Sequence, residues 1–103
     1  MLLAFSIAPQ TTDQPDGSVS KAVSRAVKIV RESGLREETT SMFTTIEGEW
    51  DEVMAVVKKC VDALSEMTPR ISLVMKADIR PGHTNMLQAK VERVNTMIEG
   101  GQA

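Results

Sequence analysis

Phe43-Thr44-Thr45-Ile46-Glu47-Gly48-Glu49-Trp50-Asp51-Glu52-Val53-Met54 changes its hydrophobic period in mid-course, and that change decides the fold. Up to Glu47 the pattern is that of a strand, with Thr44 and Ile46 facing inward and Phe43, Thr45 and Glu47 outward. Gly48 breaks the strand. Glu49, Asp51 and Glu52 then set negative charge at the start of a helix, where the helix dipole favours it. Trp50, Val53, Met54, Val57, Cys60, Val61 and Leu64 follow as an apolar stripe at helical spacing, closed by Thr68-Pro69.

Working outward, Leu35 to Ile46 is rich in Thr and has no helical stripe, so it reads as two short strands joined near Thr40 to Met42. Before it, Ser18 is a good N-cap for a helix whose stripe is Val19, Ala22, Val23, Ala26, Val27 and Val30, stopped by Gly34. The chain opens on a strand over residues 2–8, with Leu3, Phe5 and Ile7 on one face and Leu2, Ala4, Ser6 and Ala8 on the other. Pro9 ends it, and Thr11 to Gly17 is a polar loop. Downstream, Ile71, Leu73, Met75, Ala77 and Ile79 alternate with Ser72, Val74, Lys76, Asp78 and Arg80 before a Pro81-Gly82 turn. Asn85 with Gln88 suits a capping box for a last helix, whose narrow stripe is Leu87, Val91, Val94 and Ile98 and which ends at Gly100-Gly101.

The order strand, helix, strand, strand, helix, strand predicts an α+β ferredoxin-like βαββαβ two-layer sandwich with an additional C-terminal helix, residues 1–103 forming one domain. In that topology the first and third strands are central and two helices cover one face. The other face is open within one subunit.

Composition removes several classes of function. The 103 residues are 42% hydrophobic and 25% charged with a formal net charge of −2, so no bulk field draws nucleic acid or an anionic membrane. Phe5, Phe43 and Trp50 are the only aromatics, too few for a single-strand stacking platform. Cys60 alone excludes an internal disulfide and agrees with a reducing compartment. Met1 to Pro9 lacks the basic start of a signal peptide, and no run reaches the roughly 20 apolar residues of a membrane span. The expectation is a cytoplasmic protein with neither nucleic-acid nor membrane partners.

The alternation also says which side chains reach the open face: Ala4, Ser6 and Ala8, then Phe43, Thr45 and Glu47, then Ser72, Val74, Lys76 and Asp78. A solvated face would be more charged and a packed one more aliphatic; this mixture suits an oligomer interface that lines a polar pocket. A face merely wetted by solvent is the alternative. The last helix, left over once two helices cover the sheet, points to self-association through its stripe. Glu47 stands first among the candidates, because a carboxylate at a strand end can accept a bidentate pair from an amino group and a protonated ring nitrogen. A surface carboxylate, or an ion pair with Lys76 or Arg80, is the plainer reading.

Trp50 offers a stacking surface for a flat heterocycle, but its place on the stripe favours core packing. Lys76, Asp78 and Arg80 suit a solvated strand end or the orientation of a polar ligand. His83 stands alone in a polar turn, a poor metal signal, and Cys60 reads as a small buried hydrophobe. No nucleophile-and-base pair and no Gly-rich phosphate loop is present, so the expectation is a protein without catalytic residues, metal or required cofactor.

The stretch Thr44-Thr45-Ile46-Glu47-Gly48-Glu49-Trp50-Asp51-Glu52-Val53-Met54 resembles the signature of the thiamine-binding protein family. Leu2 to Pro9 is similar to that family's first strand and Pro69 to Asp78 to its last, and the likeness runs from Met1 to about Val94. The turn Pro81 to Asn85 departs from the family's usual basic turn. The resemblance implies a subunit that pairs sheets into dimers and then tetramers. It implies non-catalytic binding of thiamine, or of its hydroxymethylpyrimidine part, near a subunit interface. Mapped on this chain, the motif gives Thr44, Thr45, Glu47 and Trp50, with Ser6 from the first strand; Phe43 and Lys76 of the open face complete the candidate binding residues. The competing function is a regulatory or scaffolding homo-oligomer without a physiological small ligand.

Overall fold

Alternation in the opening strand places Leu3, Phe5 and Ile7 in the interior, and everything else in the fold is built on that row. The structure, a computed structural model, describes residues 1–10 and 19–101. Its elements are β1 (Leu2–Pro9), α1 (Ser20–Glu32), β2 (Arg36–Thr39), β3 (Thr44–Glu47), α2 (Trp50–Ser65), β4 (Ile71–Asp78) and α3 (Met86–Glu99). The strands form one antiparallel sheet in the order β2-β3-β1-β4, so β1 and β3 are central as expected. The architecture is the ferredoxin-like α+β sandwich with a C-terminal helix.

The core lies between one sheet face and α1 with α2. Leu3, Phe5, Ile7 and Ile46 from the sheet meet Ala22, Ala26 and Val30 of α1 and Val53, Val56, Val57, Cys60 and Leu64 of α2. Burying each Val, Leu or Ile stabilises by about 1.5–3 kcal/mol. Ala22 and Ala26 let the α1 backbone approach closely, while Val23 on the expected stripe is exposed at the rim. Gly34, at φ +78°, supplies the left-handed residue that ends α1, where a side chain would be strained. Gly48 answers a different need: a Cβ there would stand 3.2 Å from Val53 Cγ2, with Leu35 also close. The expected N-cap Ser18 and the loop Thr11 to Gly17 lie outside the described residues.

Several expectations are corrected. Trp50 is not in the core; it is 55% exposed, because it is the first residue of α2 and lies before the first buried residue of that helix, Val53. Val56, missing from the expected stripe, is buried, while Met54 and Val61 are only half-buried. On β4 the inward set is covered only at its start: Ile71 and Leu73 are half-buried, whereas Met75, Ala77 and Ile79 are exposed. β4 is an edge strand, and its second half runs beyond the cover of the helices. The Asn85–Gln88 capping box does not form: Asn85 adopts a left-handed conformation at φ 57° and its side chain does not cap α3.

Candidate functional site

The register fixes the open face. Across it, Arg36, Glu47, Leu2 and Asp78 stand in one row, and Glu38, Thr45, Ala4 and Lys76 in the next. Ser6 is opposite Val74 in the row beyond. Thr45 and Lys76 therefore flank Ala4, with Ser6 and Glu47 one row to either side. Those four residues do share the surface turned away from α1 and α2. Small side chains at Ala4, Ser6 and Ala8 keep the middle of this face shallow.

Glu47 is the most constrained of them. It is half-buried and joins none of the ion pairs among the described residues, so the alternative of an ion pair with Lys76 or Arg80 is not met. Its Oε2 accepts the Met86 amide at 2.6 Å, and its Oε1 the Leu87 amide at 3.5 Å. A carboxylate from β3 thus caps a helix 39 residues further along the chain. Neighbours in the same row fasten that helix too. Arg36 donates to Asn85 Oδ1, and Lys90 Nζ reaches Asp78 Oδ2 at 2.6 Å. The Lys90 hydrogen bond and charge hold the Asp78 carboxyl below the usual carboxylate range, with Arg80 and Lys76 adding smaller pulls the same way. Sequence reading missed Arg36, Asn85 and Lys90 as partners of this row, because only the fold brings β2, β4 and α3 together.

The remaining candidates are dispersed. Thr44 is buried on the helical side of β3, opposite Phe5 in the register. With Ser6 and Phe43 it borders a cavity of about 260 Å³ that Phe5, Ile7, Val23 and Thr40 also line. Phe43 lies just outside β3, in the hairpin turn where its carbonyl accepts from the Thr40 amide at 2.9 Å. Trp50 lines a separate cleft of about 160 Å³ with Ile79, Arg80 and His83. One pocket therefore does not gather all the residues that the sequence suggests.

Cys60 is fully buried and donates to the Ala26 carbonyl at 3.6 Å; desolvation pushes its thiol up to about 11, so it stays neutral and unreactive near pH 7. Among the described residues no group of His, Cys, Asp and Glu is arranged to hold a metal ion, and no helix is long and apolar enough to cross a membrane.

A ferredoxin-like sandwich with one polar, uncovered sheet face and a C-terminal helix fastened to its end defines the class. The chain belongs to the thiamine-binding protein family, whose profile matches residues 3–95. A UPF0045 protein of Mycobacterium bovis is 44% identical over 99 residues, 95% of this chain and 94% of its own length. A UPF0045 protein of Synechocystis is 36% identical, with 80% of this chain and 69% of that protein aligned. Among solved structures, a Methanocaldococcus jannaschii protein superposes with a TM-score of 0.81 at 26% identity, covering 91% of this chain and 94% of the other. A Thermotoga maritima protein named for thiamine biosynthesis or salvage superposes with a TM-score of 0.76 at 25% identity, covering 90% and 96%.

Proposed function

We propose that the protein is a non-catalytic binder of thiamine or its hydroxymethylpyrimidine moiety, with the ligand on the open sheet face at Glu47 and Thr45. The binding form is a homo-oligomer in which a second copy covers the rest of that face. The observation that supports this is the Glu47 fork. Its two oxygens hold two neighbouring N–H donors, here the Met86 and Leu87 amides, and the amino group and protonated ring nitrogen of an aminopyrimidine are a pair of the same kind. Thr45 supplies a hydroxyl in the next row, and Lys76 and Ser6 add polar groups across Ala4. Family membership favours the same ligand class. No cofactor or metal enters this reading, and retention of the ligand, as carrier, buffer or sensor, is its whole chemistry.

Calorimetry and thermal shift with thiamine and with hydroxymethylpyrimidine test it. At 100-fold excess over Kd, one-site binding stabilises by about 2.7 kcal/mol. Glu47→Gln is expected to weaken binding while leaving the elution volume of the oligomer unchanged; equal affinity in that variant removes Glu47 from the site. The scaffolding reading is favoured by one observation, the exposed Val91, Val94 and Ile98 of α3. No shift at millimolar ligand, with an oligomer present, would leave that reading standing alone. Mass spectrometry of whatever co-purifies identifies a resident ligand directly.

A further inference from the structure

The ligand edge of Glu47 is already occupied by the chain itself. Met86 and Leu87 are consecutive, and their amides meet opposite oxygens of one carboxylate. The carboxylate has lone pairs to spare, but a bidentate heterocycle must approach along the edge where the first turn of α3 already lies, so the two compete for one space. We infer that the first turn of α3 is a built-in competitor for the Glu47 fork, and that ligand binding and α3 docking exclude one another. The inference rests on the proposed binding of an aminopyrimidine at Glu47.

The two sides of this contact are held very unequally. Glu47 belongs to β3, paired on both sides by β1 and β2, and follows the fully buried Ile46. It cannot move without disturbing the sheet. Within one subunit α3 buries only Met86, and every residue from Lys90 to Gly100 is exposed. Its other fastenings are the Arg36–Asn85 hydrogen bond and the Lys90–Asp78 pair, both in solvent. An element with so little apolar burial opens at low cost, so the side that yields is α3. Occupation of the fork then releases a helix bearing Val91, Val94 and Ile98, and loading becomes readable at a distance from the ligand. By mass action, whatever loosens α3 tightens ligand binding, by up to the same factor while α3 remains mostly docked.

Two measurements with hydroxymethylpyrimidine as probe test this. Hydrogen exchange followed by mass spectrometry on the wild-type protein should show α3, from Met86 onward, losing protection at saturating probe, with α2 unchanged. Asn85→Ala combined with Lys90→Ala loosens α3 and leaves every sheet side chain in place; it should bind the probe about fivefold more tightly by calorimetry. Binding that leaves α3 protection unchanged or raises it, with equal affinity in the double variant, overturns the competition and leaves the binding function intact. Absence of binding in both proteins overturns the binding function, and the competition with it.

Discussion

α2 and α3 each follow a strand, each begin beside a glutamate, and are held in opposite ways. α2 carries its cap in its own sequence, with the Glu49 amide donating to Glu52 Oε1 at 3.1 Å, and buries Val53, Val56, Val57, Cys60 and Leu64. α3 borrows its cap from Glu47 on a distant strand and buries Met86 alone. Burial fixes one helix to the fold, and a part-buried cap with two exposed polar contacts tethers the other. A helix of the second kind is suited to move, because little apolar surface holds it and its two outer contacts are weak and screened by solvent.

The sharpest way to break this contrast is to truncate each helix at its apolar stripe. Leu64→Ala, at a fully buried site, should cost about 2–5 kcal/mol in chemical denaturation. Val94→Ala, at an exposed site, should change stability by no more than about 0.5 kcal/mol. Equal losses would mean that another copy of the chain buries α3 in solution.

Cys60 gives α2 a signature in pH. Burial raises its thiol from 9.0 to about 11, so the folded protein holds a proton that the unfolded chain releases first. The Cys60 contribution is therefore full below pH 9 and declines as pH rises toward about 11, at up to roughly 1.4 kcal/mol per pH unit. Thermal melts across that window should fall for the wild type, and fall less for Cys60→Ala. A smaller effect attends the borrowed cap. Glu47→Ala should cost on the order of 1 kcal/mol, read as lost amide protection confined to α3 while α2 exchanges as before. If α2 loosened equally, the two helices would form one cooperative unit and the contrast would fail.

Much of this fold was legible because alternation and helical spacing are local properties. Leu3, Phe5, Ile7 and Ile46 fell inside, and Ser6, Thr45, Glu47 and Lys76 fell on the opposite surface, from period alone. Spacing failed where coverage, and not direction, decided burial. Trp50 and Met75 sit on the inward side of their patterns yet are exposed, because α2 begins and β4 runs at the edges of the sandwich. The occupant of Glu47 was illegible for another reason. Nothing near Asn85 marks its helix as capped from 39 residues away, and the local alternative, a box with Gln88, reads correctly as chemistry while losing to geometry.

Asp78 carries the smallest predicted effect, and its sign opposes that of Cys60. The hydrogen bond and charge of Lys90 depress its folded carboxyl below the ordinary 3.8, so the contact contributes fully above that value and is lost as pH falls through the depressed one. The site is open to solvent, so the global unfolding curve should hardly register the change. Local exchange should register it. Below about pH 4, amides in the first turn of α3 should lose protection faster in the wild type than in Lys90→Ala, in which the pair is already absent, while α2 amides match in the two proteins. Identical acid profiles for α3 in wild type and Lys90→Ala would show that Asp78 does not fasten the helix. Its hold would then come down to Glu47 and Arg36, and the case for a releasable α3 would rest on the carboxylate fork.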